Sequence, residues 1–127
     1  MPERTALQGV LAGVGTVAVA AGLQGVVRGG AGVHQGGEVS ANVDSELRFF
    51  AAWYVVAGGM AFRAAAEPER HTAAVQACAA GFGLAAVGRI LSWRRLGAPS
   101  PVFQGLLAAE VALAAGLVPW QRRVARG

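Results

Sequence analysis

Four long apolar runs separated by short polar stretches account for most of this chain. The first, residues 7–27, is long enough to cross a hydrocarbon core of about 30 Å at about 1.5 Å per helical residue. The second, residues 49–62, is short. It is flanked by Arg48 and Arg63, whose stems can stay in lipid while their charges reach outward, and Ala64, Ala65 and Ala66 extend it. The third, residues 72–93, is interrupted only by Arg89, and the fourth, residues 102–120, only by Glu110. No run alternates as a barrel strand does, and backbone in lipid must satisfy its own hydrogen bonds, so each run reads as a helix. The predicted fold class is all-α: an antiparallel four-helix transmembrane bundle in one domain, with spans near 7–27, 47–66, 71–93 and 101–120.

Punctuation supports this parsing. Pro2, Pro68, Pro99, Pro101 and Pro119 all fall between the runs or at their ends. Ser100-Pro101 reads as an N-cap followed by the first helical residue of the fourth span. Asp44 or Ser45 is the expected cap of the second, with Glu46 in its first turn, and Glu67-Pro68-Glu69 opens the third. A cleaved signal peptide is the competing reading of the first run, with Arg4 as its charged region and Ala18-Val19-Ala20 as a small-x-small site. The run is longer than a signal's apolar region of about 7–15 residues, and three more spans follow. Residues 28–44 form a Gly-rich loop, expected to be the most mobile part; the other two connections are tight.

Composition agrees. Charged residues are 14% of the chain against about 25% in soluble domains. Mean hydropathy is only +0.46 because the apolar residues are largely Ala and Gly. All 11 basic residues are arginine. They sit singly or in pairs at the ends of apolar runs, which is how membrane proteins set topology and not how a nucleic-acid surface is built. Counting them predicts both termini on the cytoplasmic side. Gly9-x-x-x-Gly13 and Ala77-x-x-x-Gly81-x-x-x-Ala85 are the expected close-packing faces, within the chain or between copies.

Charges inside the runs are where function must start. A charge at mid-membrane costs about 2.5–3.5 kcal/mol on the insertion scale. By helical rise, Arg89 lies about 6 Å below Trp93 and Glu110 about 13 Å into the fourth span. Two opposite charges at similar depth are predicted to pair through two parallel hydrogen bonds, with Glu46 as the second choice for Arg89. Glu46, Arg48, Arg89, Ser92 and Glu110, with Gln104 nearby, are the candidate ligand-binding residues in the outer half of the bundle. Trp53 and Tyr54 could floor that site, although lipid-facing or packed aromatics are the plainer reading. Gln24 and Gln76 read as interhelical hydrogen bonders. Cys78 is the only cysteine, and His34 and His71 fall on opposite sides, so no metal site is expected. No nucleophile elbow, P-loop or dinucleotide fingerprint occurs, so no catalytic residue or cofactor is assigned.

Asp44-Ser45-Glu46-Leu47-Arg48-Phe49-Phe50, then Gly58-Gly59, then Gly88-Arg89-Ile90-Leu91-Ser92, resembles a family of small bacterial four-helix membrane proteins catalogued as a domain of unknown function. The resemblance implies the four-helix architecture and a polar signature of Glu46, Arg48, Arg89 and Ser92; it implies no reaction. A looser similarity to DoxX-like four-helix proteins rests on architecture alone. The functional expectation is a non-enzymatic protein that binds a lipid-like or small anionic ligand in an outer-leaflet polar cavity, or an accessory subunit of a membrane complex. Its expected partners are membrane lipids, and a further copy or larger assembly, not nucleic acid. A proton-coupled exporter resembling small multidrug transporters, using Glu110, is the alternative; Arg89 at the same depth competes for that carboxylate. An intramembrane isomerase using a carboxylate as acid or base is the third reading.

Overall fold

The computed structural model describes residues 1–127 as four long helices and no strand: α1 (Pro2–Arg28), α2 (Ala41–Ala66), α3 (Thr72–Leu96) and α4 (Pro101–Arg126). A short 3-10 turn, Gly29–Gly32, follows α1. All four helices are long and apolar enough to cross a membrane. The expected all-α class is therefore what the structure has.

Packing divides the chain into two compact units, one of residues Gln8–Ala66 and the other of Met1–Leu7 with Glu67–Gly127. In the first, α1 and α2 run antiparallel in close contact. A Cβ placed on Gly15 would lie 3.0 Å from the Gly58 carbonyl oxygen, and one on Gly22 2.7 Å from that of Ala51. Position rises along α1 as it falls along α2, which fixes the antiparallel sense. The contact stripe is Gly15, Gly22 and Gly25 against Ala51, Val55, Gly58 and Phe62, a roughly seven-residue repeat on each helix. The expected Gly9 and Gly13 face is not this contact: both open onto free space, as does Gly81 on α3. Spacing of small residues shows that a face can pack closely, but the partner helix decides which face does.

In the second unit α3 packs on α4, again antiparallel. On α3 the inward stripe is Val75, Ala79 and Ala86; on α4 it is Glu110, Leu117, Gln121 and Val124. Both follow the three- or four-residue step of a helix face. Gln121, only 2% exposed, donates from Nε2 to the Pro68 carbonyl oxygen at 3.2 Å and to Thr72 Oγ1 at 2.9 Å, fastening α4 to the start of α3. Arg4 reaches Glu69 with two donors, Nε to Oε2 at 3.3 Å and Nη2 to Oε1 at 3.0 Å, which ties the first turn of α1 to the α2–α3 connection.

Three boundaries differ from those read in the sequence. Helix α2 starts at Ala41, and its cap is Ser40, whose Oγ accepts the Val43 N–H at 3.3 Å; Asp44 sits one turn in and serves other partners. Helix α3 begins at Thr72, where the apolar run does, but Glu67-Pro68-Glu69 does not open it: Glu67–Arg70 closes a separate turn through the Arg70 N–H to the Glu67 carbonyl. Ser100 does precede Pro101 at the start of α4, yet makes no side-chain cap bond. Helix α4 also continues through Pro119 to Arg126. Proline there removes one helical hydrogen bond, and the inward packing of Gln121 and Val124 carries the helix past it.

Candidate functional site

Arg89 and Glu110 occupy the inward stripes just described. Arg89 follows Ala86 by three residues on α3, and Glu110 precedes Leu117 by seven on α4, so antiparallel packing brings them face to face. Nε of Arg89 donates to Oε1 of Glu110 at 2.9 Å and to Oε2 at 2.8 Å. The side chains are 28% and 11% exposed. The pairing expected from depth is thus formed, but not in the expected geometry. One N–H is shared between the two oxygens, instead of two N–H groups each taking one.

That difference matters chemically. A guanidinium carries five N–H donors. Glu110 engages one of them, and neither Nη1 nor Nη2 of Arg89 has a partner in the chain. The Arg89 Cζ lies 5.6 Å from the centroid of the Phe103 ring, within range of a cation–π contact. Phe103 is seven residues before Glu110 on the same face of α4 and had drawn no attention in the sequence; the seven-residue spacing is the signal that would have found it. A buried counter-ion, an aromatic neighbour and unengaged donors thus meet around the Arg89 guanidinium.

Ser92, one turn beyond Arg89, is exposed and bonds to nothing in the chain. Gln104 turns away from the pair and donates to the Pro99 carbonyl oxygen at 2.8 Å, at the start of its own helix.

The other two candidates belong to the α1–α2 unit, and only one of them is engaged. Arg48 donates from Nε to Asp44 Oδ2 at 2.8 Å, one helical turn back. Its Nη1 donates to the Val26 and Val27 carbonyl oxygens at 2.7 and 2.9 Å. These are among the last carbonyls of α1, which have no partner within their own helix. Asp44 Oδ1 in turn accepts the Gly30 N–H at 2.8 Å. Gly29, with φ of 55°, makes the turn into this cluster, and a Cβ there would collide with Asp44. Asp44 and Arg48 therefore form a clamp across the end of α1. Asp44, read in the sequence only as a cap, is the residue that pairs with Arg48. Glu46 is exposed and pairs with neither. Trp53 and Tyr54 are also exposed, at 60% and 49%.

Outside the apolar helices, Glu69 has its carboxyl held below the usual glutamate range, chiefly by the Arg4 bond and also by a backbone N–H and nearby Arg70. No group of three or more His, Cys, Asp or Glu is arranged to hold a metal ion.

The chain belongs to the family described as Domain of unknown function (DUF4345), whose model matches residues 6–121. No curated protein and no solved structure matches it.

Proposed function

We propose that this member of the family is a membrane-embedded binding protein for the anionic end of a lipid-like molecule, a phosphate or carboxylate taken up by Arg89. One observation carries the reading: Arg89 spends a single N–H on Glu110 and keeps its Nη donors unengaged, at a place only partly exposed. Glu110 neutralises and orients the guanidinium; Phe103 flanks it; Ser92, one turn along, adds a hydroxyl at the edge of the site. Arg48 supports the architecture through its clamp on α1, and the ligand contacts fall to Arg89. Arginine asymmetry supports an orientation with both termini cytoplasmic, in a bacterial inner membrane.

An exporter that loads a cation on Glu110 has less support, because that carboxylate must first give up Arg89. The isomerase reading has less support too: Glu110 is held by Arg89, and the unpaired Glu46 lies exposed in the other unit.

Native mass spectrometry of the detergent-solubilised protein, titrated separately with phosphatidylglycerol and with oleate, tests the proposal. Arg89→Met should lose retained ligand, while the Arg89→Leu/Glu110→Leu double variant, folded but uncharged there, should also fail to bind. Wild-type retention of both probes by the double variant would overturn the assignment.

A further inference from the structure

We infer that a second lipid site, independent of Arg89, lies in an open groove of about 630 Å³ between the first turn of α1 and the last turns of α4, and that it takes the zwitterionic amine–phosphate headgroup of a phospholipid. Both walls belong to the same unit of the molecule. Glu3 comes from α1 and Arg123 from α4, and both are exposed. Neither has a hydrogen-bond or ion-pair partner in the chain, so they do not pair with each other either. The groove thus carries two opposite, separated and unsatisfied charges.

A headgroup with one charge would satisfy one wall and oppose the other. Arg122 and Arg126 on the same last turns, taken alone, would favour an anionic lipid; Glu3 changes that preference. A headgroup bearing an ammonium and a phosphate engages Glu3 and Arg123 together. Its ammonium pairs by charge with the carboxylate while the guanidinium donates to the phosphate. Trp120 lines the same groove, as an amphipathic ring does at a membrane interface. The remaining wall is small and apolar, formed by Pro2, Ala6 and Gly116. A Cβ on Gly116 meets nothing within 4 Å, so that floor is open to the first carbons of an acyl chain.

The test is lipid retention by the full chain in native mass spectrometry, after exchange into mixed micelles holding equal phosphatidylethanolamine, phosphatidylcholine and phosphatidylglycerol. In the Arg89→Leu/Glu110→Leu background, which lacks the first site, the protein should retain the two zwitterionic lipids over phosphatidylglycerol. Glu3→Gln and Arg123→Gln, both at exposed unpaired positions, should each weaken that retention about tenfold, the loss of one charge-assisted contact. Gly116→Leu should block the groove without a clash inside the protein. Exchanging the charges in Glu3→Arg/Arg123→Glu should restore zwitterion retention with the headgroup reversed. Equal or greater retention of phosphatidylglycerol in the Arg89→Leu/Glu110→Leu background would overturn the proposal, and so would indifference of zwitterion retention to Glu3→Gln. Because the Arg89 site is absent from this background, this site and the Arg89 site stand or fall separately.

Discussion

Arg89 holds Glu110 through one nitrogen, whereas Arg4 holds Glu69 through two. The pair at the first turn of α1 is the bidentate one, and the pair within the apolar helices is not. A guanidinium kept only for register would gain by using more of its donors.

Removing one partner of that pair should cost more than removing both. Arg89→Ala strands the Glu110 carboxylate at 8% exposure. The expected loss is about 3 kcal/mol, the low end for breaking a buried pair because Arg89 is partly exposed. Arg89→Leu/Glu110→Leu should recover most of it. Thermal unfolding in detergent reads both; a double variant less stable than Arg89→Ala would contradict the geometry.

Glycine substitutions should divide by face. Gly22→Ala puts a methyl 2.7 Å from the Ala51 carbonyl oxygen and 2.8 Å from the Val55 nitrogen. Backbone atoms there cannot yield cheaply, so a loss of about 1–3 kcal/mol is expected. Gly9→Ala meets nothing and should instead stabilise, by up to about 1 kcal/mol of helix propensity. The same unfolding assay should move in opposite directions for the two.

Arg48→Ala should loosen the end of α1. It frees the Val26 and Val27 carbonyl oxygens and releases Asp44. Amide exchange should rise over residues 26–33, beginning with Gly30, whose N–H is bonded to Asp44. Arg48→Lys should rescue only part, since one ammonium does not present the same fork of donors.

Acid should weaken the Arg4–Glu69 tie. The folded carboxyl titrates below its ordinary value, so its contribution is complete above about pH 4.3, the unfolded glutamate value, and fades as pH falls through the folded one. Arg4→Gln should remove this part of the acid limb of the stability profile and leave the neutral region nearly unchanged, because exposed ion pairs contribute little. Unfolding curves collected from neutral to acid pH check it.

The legible parts of this molecule were those where one residue breaks a uniform background. Arg89 and Glu110 stand out because charge within an apolar run is costly, and helical rise alone puts them at similar depth. Helix faces were less legible. Gly9-x-x-x-Gly13 has the better-known spacing, yet Gly15 and Gly22 make the contact, since the choice depends on where α2 presents Ala51 and Gly58. Asp44 and Ser40 are equally good caps on paper; Asp44 is taken instead by Arg48 and Gly30, partners remote from the helix start. The extension of α4 past Pro119 was not legible, because Gln121 is held by Pro68 and Thr72, partners that only the fold brings across from it.

Arg48 also bears on how the molecule is made. The last carbonyls of α1 receive their donor from α2, so a nascent chain that has delivered only its first span leaves that terminus unfinished. Hydrocarbon does not tolerate unsatisfied backbone. The smallest piece of this half that is complete in itself is therefore the hairpin of both helices.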